Sequence, residues 1–359
     1  MCASCAPLLQ TIVQTAFPRN GGLLYAFGYG SVVIPQHGRS TANSQLDLVL
    51  IVKDPLSWHL ENCAKNPHHY SRISQRFNHR FLKLAVSKWP SPAVYYNPLI
   101  EWTDPNNSCS PQLLKYGVVG LTRLLQDLNS WSDLYIAGRL HKPVAWIPVK
   151  PLPKHDESAF ALALSHNLTS ALAFALLQHD FDHSGPLSET ELYRSLASIS
   201  YRGDWRLYLG EDRKKIERLI SGVPRRRAFR SLYLPYLNAA PFSELFDVAV
   251  PSSLSIDFII EPRHRDGYEC SPCLLALLPD QFCTSCAAGG VGDTPAAARC
   301  HLQSLSYAQR SALLSATAAS VVRWASYRQT LLGIFSAGIG RSFTYSLEKF
   351  KKMLASLYY

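Results

Sequence analysis

The residues Leu23-Leu24-Tyr25-Ala26-Phe27-Gly28-Tyr29-Gly30-Ser31, followed after a polar loop by Leu46-Asp47-Leu48-Val49-Leu50-Ile51-Val52, decide how this chain reads. Two short apolar runs rich in β-branched and aromatic residues predict two neighbouring strands, Leu23 to Phe27 and Leu46 to Val52. The tight Gly28-Tyr29-Gly30-Ser31 turn leaves the first strand, and glycines there let backbone N–H groups approach a ligand closely. With the Ser31 hydroxyl, such a turn can cradle a phosphate. Asp47, at the start of the second strand, is a carboxylate placed to hold a divalent cation against that phosphate. Gly-rich turns also close purely structural hairpins, so this stretch alone leaves the chemistry open.

Working outward, further segments occur in a fixed order: Leu46-Asp47-Leu48, Asp54-Pro55 with Trp58-His59, Asn66-Pro67-His68-His69-Tyr70-Ser71, and Val94-Tyr95-Tyr96-Asn97-Pro98. Lys115-Tyr116-Gly117-Val118 and Ala137-Gly138-Arg139-Leu140-His141-Lys142-Pro143-Val144 come next, then Ser200-Tyr201-Arg202-Gly203-Asp204-Trp205-Arg206 and Gly333-Ile334-Phe335-Ser336-Ala337-Gly338-Ile339. Together these resemble the mitochondrial translocator assembly and maintenance family, the peripheral mitochondrial CDP-diacylglycerol synthases, over nearly the whole chain except about residues 246–300.

The resemblance implies an α+β protein: a nucleotidyltransferase-fold mixed sheet domain over residues 1–150, then a helical winged-helix-like domain over 157–245. A variable Cys/Pro/Gly-rich insertion (246–300) and a C-terminal helical region (301–359) follow. The activity implied is phosphatidate cytidylyltransfer from CTP to phosphatidic acid, giving CDP-diacylglycerol for cardiolipin synthesis, with Mg²⁺ as cofactor. The implied location is peripheral, on the matrix side of the mitochondrial inner membrane. Gly30 and Ser31 are assigned to the triphosphate and Asp47 to Mg²⁺. Lys115, Arg139 and Lys142 are assigned to phosphate charge. Asp204 and Arg206 stand between a nucleotide contact and a structural ion pair. Two departures are visible: nucleotidyltransferases usually show Asp-x-Asp, but position 49 is Val, with Asp54 a distant substitute, and the Gly that commonly follows Gly-Ser is Val32 here. The competing function is a non-catalytic, membrane-associated assembly factor for protein translocation; a third is a basic nucleic-acid-binding module, whereas the family reading expects no nucleic acid.

Composition bounds these readings. A chain of 359 residues with 47% hydrophobic residues can bury two cores. A net charge of +10 favours an anionic partner, whether nucleotide, nucleic acid or anionic membrane surface. No uninterrupted apolar run reaches the ~18 residues of a spanning helix, so the expectation is a protein on a membrane rather than through it. Met1 to Phe17 carries no Arg or Lys, unlike a presequence, so an upstream exon or an internal signal would reconcile it with import. Nine cysteines without a secretory signal argue against a disulfide framework.

Elsewhere, Leu8 to Phe17 predicts a helix, Asp54 to Ser71 a loop with short helical turns, and Val94 to Trp102 with Leu113 to Val119 a hairpin. Leu121 to Ile136 and Ala159 to Gln178 predict helices, Lys150 to Lys154 a linker, and Ser188 to Glu191 a capping box opening a helix through Ile199. A further helix is expected over Glu211 to Ile220. His59, His68, His69 and His79 lack zinc-site spacing. Cys270, Cys273, Cys283 and Cys286 form two CxxC pairs that suit either a zinc knuckle or a disordered insertion with free thiols. Finally, Phe343, Leu347, Phe350, Leu354 and Leu357 make one helical stripe in a tail whose six Lys or Arg from Arg323 onward face one acid, Glu348. That stripe fits a membrane-interface helix or a helix docked on the protein's own core.

Overall fold

The computed structural model describes residues 5–18, 22–34, 45–76, 78–105, 107–147, 149, 154–207, 215–263, 270–287 and 294–337. The chain is α+β. Its larger sheet is mixed and runs β3-β4-β2-β1-β5, with β1 Leu23–Tyr29, β2 Leu46–Val52, β3 Tyr95–Asp104, β4 Asn107–Gly120 and β5 Ala145–Ile147. Only β2 and β4 pair in parallel; β1 pairs antiparallel with β2 and β5, and β3 with β4. β2 is therefore central, which is why its sequence is apolar on both faces.

Alternation along the strands separates two cores. Ala26, Leu46, Leu48, Leu50, Val52, Leu114, Tyr116 and Val118 pack on the first helix, Cys5–Ala16, through Leu9, Ile12 and Val13. Phe27, Tyr29, Val49, Ile51 and Val119 face the other way, onto Leu124, Leu128, Phe174 and the rest of the helical half. A second sheet, order β6-β8-β7, comprises Leu187–Ser188, Phe246–Ala249 and Ile259–Pro262.

Several expectations change. β1 continues through Tyr29, so the turn begins at Gly30. The stretch read as a loop after Asp54 is a helix, Pro55–Lys65, whose N-cap is Asp54 accepting from the Leu56 N–H at 3.0 Å. Its buried face mixes Trp58 and Cys63 with the polar His59 and Asn62, which hid the periodicity. His59 Nδ1 lies 2.9 Å from the Tyr70 hydroxyl, and Asn62 donates to Tyr70 and Tyr116, both at 2.9 Å. His69 Nδ1 meets the Tyr116 hydroxyl at 2.9 Å, so these histidines serve hydrogen bonding. Burial lowers the His59 pKa to about 3. The predicted helix to Ile136 stops at Ser130, because Trp131 (φ 54°) and Leu134 (φ 49°) are left-handed. The helix expected from Ala159 begins at Lys154 and ends at Leu177. By length and composition it could cross a membrane, but two thirds of its most apolar window is buried inside the protein. The Ser188–Glu191 capping box is present, opening helix Glu189–Ser198.

The Cys-rich stretch is not disordered over its described part. Cys270, Leu274, Leu275, Leu278, Phe282, Cys283 and Cys286 belong to the same core as Phe174 and Leu192. Each CxxC pair sits on a helix, Cys270–Ala276 or Asp280–Ala287, and Cys63, Cys270, Cys273, Cys283, Cys286 and Cys300 form no disulfide among the described residues. Among the described residues no group of three His, Cys, Asp or Glu could hold a metal ion. Burial raises the thiols of Cys283 to about 11 and Cys286 to about 12. Deleting residues 270–286 is accordingly expected to destroy cooperative thermal unfolding rather than leave nucleotide binding untouched; a sharp melting transition in the deleted protein would refute this.

The last described helix, Tyr307–Ala337, returns to the first half of the chain. Gln329 Nε2 donates to the Val94 carbonyl at 2.6 Å and Gln329 Oε1 accepts from the Val94 N–H at 3.2 Å. Leu332 joins Tyr70, Leu82 and Tyr95 in a third core. Residues 341–359, with their apolar stripe, and Lys150 to Pro153 of the expected linker lie outside the described residues.

Candidate active site

The register of the central strands sets Tyr29 opposite Asp47 and Asp47 opposite Lys115, a row across β1, β2 and β4 on the face toward the helical half. One row deeper lie Phe27, Val49 and Gly117. Val49 is fully buried, so the position where a second metal carboxylate would stand is core. Asp54 does not replace it: it caps a helix at the far end of β2, ~20 Å from Asp47 at ~3.3 Å per strand residue.

Asp47 is half-buried and its carboxylate makes no hydrogen bond or ion pair among the described residues. The other acids around the site among the described residues are committed. Asp127 accepts five backbone N–H groups, Asp133 accepts from Ser91 and Ser132, and Asp204 pairs with Arg206. Gly30, at φ +92°, begins a helical turn closed by the Ile34 N–H on the Gly30 carbonyl at 3.1 Å. A Cβ on Gly30 would stand 3.4 Å from Asp47 Oδ2, so the carboxylate leans over a turn that only glycine forms without strain. Ser31 and Val32, in the same turn, are half-buried.

Cations close over this row. The Lys115 ammonium lies 4.9 Å from the Tyr96 ring centre and the Arg139 guanidinium 4.4 Å from that of Tyr29. Burial opposes the Arg139 charge, but Tyr201, Tyr29, Tyr96 and Asp47 outweigh it and hold the group charged. Burial, then Asp47, raises the Tyr29 phenol. Lys142 is buried, donating to the Gly138 carbonyl and to Ser200 Oγ at 2.6 Å; burial, then the charges of Arg139 and Lys215, push it well below the usual lysine range. Both Lys142 and Lys215 lie against the Tyr201 ring, at 4.9 and 4.8 Å.

Arg139 lies on the short helix Ala137–Leu140 and Lys142 just past its C-cap, His141, and the placement of this segment is over-determined. Asp127 Oδ1 accepts from Asp133 and Leu134, and Oδ2 from Tyr135, Ile136 and Ala137, at 2.8 to 3.2 Å. Asn167, from the long helix, accepts from Trp131 Nε1 at 2.9 Å, meets His141 Nε2 at 3.0 Å and donates to the Ala137 carbonyl at 3.1 Å. A Cβ on Gly138 would come 2.4 Å from Ser200 Cβ, so the glycine permits the close approach of the two halves.

Of the residues singled out from sequence, Gly30, Asp47, Lys115, Arg139 and Lys142 come together. Asp204 and Arg206 form an ion pair at 2.6 Å with Asp204 almost wholly buried, and Arg206 stands 6.0 Å from the Tyr135 ring centre, at the margin of the cluster. Sequence reasoning passed over Tyr29, Tyr96, Tyr135, Tyr201 and Lys215. Four of these lie in or beside the quoted motifs, but nothing in a motif says that separate tyrosines share one pocket wall.

The chain matches the family model described as phosphatidate cytidylyltransferase, mitochondrial, over residues 9–352. It is 35% identical over 362 residues to the Xenopus laevis protein named mitochondrial phosphatidate cytidylyltransferase, covering 96% of this chain and 94% of that one. Proteins of the same name from Mus musculus (32% over 370 residues; 94% and 92% covered) and Schizosaccharomyces pombe (32% over 339 residues; 92% and 80%) are similar too.

Proposed function

This chain belongs to the mitochondrial phosphatidate cytidylyltransferase family, and from that premise we propose that it transfers CMP from CTP to phosphatidic acid, releasing pyrophosphate and forming CDP-diacylglycerol, the precursor of cardiolipin. The observation that carries the reading at the level of the site is Asp47: a half-buried carboxylate, uncommitted among the described residues, between Tyr29 and Lys115, over the Gly30 turn and beside Arg139.

The attacking phosphate of phosphatidic acid is already anionic, so no strong base is needed. Positioning and charge neutralisation do most of the work. Gly30 and Ser31 receive the triphosphate; Lys115, Arg139 and Lys142 offset its charge, and an arriving polyphosphate supplies the counter-charge that buried Lys142 lacks. Asp47 is the residue that would hold Mg²⁺, and one carboxylate suffices because nucleotide-bound Mg²⁺ takes its other ligands from phosphate oxygens and water. Bound there, the ion would neutralise charge developing on the phosphates. Arg206, tied to Asp204, acts at the margin, so its role is more structural than the motif implied.

The mixed sheet is read as a nucleotidyltransferase core. The order helix 154–177, β6, helix 189–198, helix 223–237, β7, β8, with strand order β6-β8-β7, supports a winged-helix-like unit beside it. We place the protein peripherally on the matrix face of the inner membrane; the lipid substrate and the basic tail with its apolar stripe in sequence support the membrane association. Truncation after Gly340 is expected to lower binding to phosphatidate-containing liposomes and turnover on them, with CTP binding nearly intact; loss of CTP binding instead would assign the tail to the core. The activity itself is tested with radiolabelled CTP, phosphatidic acid liposomes and Mg²⁺. Labelled CDP-diacylglycerol is expected, and its absence together with absent CTP-dependent thermal protection would favour a non-catalytic assembly role.

A further inference from the structure

Helix Val223–Leu237 carries four arginines within two turns, and the surroundings of three of them, Arg225, Arg226 and Arg230, differ. Arg230 is buried and forms a two-pronged pair with Glu189, Nε to Oε1 at 2.8 Å and Nη2 to Oε2 at 2.7 Å. Arg226 reaches Asp257 at 2.8 Å. Arg225, 5% exposed, has no carboxylate partner among the described residues. Its Nη2 donates to the Ile34 carbonyl at 2.6 Å and its Nη1 to the Leu219 carbonyl at 3.4 Å, while its buried Nε–H has no acceptor.

A desolvated guanidinium without counter-charge is costly, and burial pulls the Arg225 pKa down to about 10. The helix start adds to the same positive charge: its N-cap is Gly222, at φ 91°, with no side-chain cap. The place is informative. Ile34 closes the helical turn that begins at Gly30, so Arg225 reaches from the helical half onto the far end of the turn beneath Asp47. Tyr201, the neighbour that acts on the Arg225 charge, also acts on Arg139 and carries Lys142 and Lys215 on its ring.

We propose that Arg225 is a phosphate-binding residue, giving its Nε–H to a phosphate oxygen of the bound nucleotide while its Nη2 holds the Gly30–Ile34 turn. This rests on the reading of that turn as the CTP site. A phosphate could also come from phosphatidic acid, but the grip on Ile34 ties Arg225 to the nucleotide turn. The nucleotide is thereby held from both halves of the chain.

The test is calorimetric titration of the full-length protein with CTP and with inorganic tripolyphosphate, each with Mg²⁺, comparing the parent with Arg225→Met and Arg225→Lys. Arg225→Met is expected to weaken both affinities tenfold or more, with the KM for phosphatidic acid vesicles at saturating CTP unchanged. Arg225→Lys keeps the charge and the fold but lacks the Nε–H, and is expected to lose at least threefold in tripolyphosphate affinity. Parental tripolyphosphate affinity in Arg225→Lys overturns the proposal even if Arg225→Met does not fold. A rise confined to the phosphatidic acid KM overturns it in favour of the lipid phosphate. A parent protein that binds no CTP would overturn the nucleotide site itself.

Discussion

Asp47→Asn is expected to abolish product formation, lowering turnover on the order of 10²- to 10³-fold or more, with the melting temperature within a few degrees of the parent. The two halves of that expectation have separate physical grounds. Turnover falls because the amide keeps the shape of the side chain but removes a negative charge that is uncommitted among the described residues and stands beside Lys115 and Arg139. The fold survives because the Asp47 carboxylate satisfies no hydrogen-bond donor among the described residues, and the electrostatic support it gives Arg139 is shared with Tyr201, Tyr29 and Tyr96. Turnover measured with saturating CTP and Mg²⁺, alongside thermal unfolding, separates them. Parental turnover would remove Asp47 from the metal role, and a large loss of stability would make it structural.

Asp127→Ala is expected to give the opposite pattern, the largest loss of stability among single substitutions, about 4–5 kcal/mol. Five backbone N–H groups, from Asp133 to Ala137, share this carboxylate inside the protein. A buried donor left without an acceptor costs about 1–3 kcal/mol, and relaxation of the loop keeps the five from adding in full. Asn cannot substitute well, since its amide hydrogens would face N–H groups. Because Tyr135 and the Arg139 helix hang from this loop, any folded Asp127 variant should also lose turnover. Denaturant unfolding checks the magnitude; a change under about 1 kcal/mol would mean that water replaces the carboxylate.

How much of this was legible in sequence depended on whether the signal was local. The Leu46–Val52 strand and the Ser188–Glu191 capping box are each specified within a few residues, and the structure has both; Asp47 stands at the start of that strand, where the sequence put it. The helix after Asp54 was missed because its buried face carries His59 and Asn62, which a hydrophobic period treats as exposed. The CxxC stretch, left between a zinc knuckle and a disordered insertion, is helical and buried over its described part, because i, i+3 spacing also serves one face of a helix. The tyrosine wall and the unpaired charge of Arg225 come from segments far apart in the chain, and become visible only when the second half lies against the sheet.

The side-chain amide of Gln329, matched to both backbone groups of Val94, has a consequence for how the protein is made. The strand edge near Val94 is completed by a residue that leaves the ribosome long after the sheet itself. Between the end of β5 and Ser336, roughly 190 residues must be translated, which takes about 10–40 s at ~5–20 residues per second. Throughout that interval Leu82, Tyr95 and their neighbours lack the Leu332 that covers them. The nascent sheet therefore passes through a long period with apolar surface uncovered, when a holding chaperone matters most and when a stop codon before Gln329 would leave the nucleotide half synthesised but unfinished.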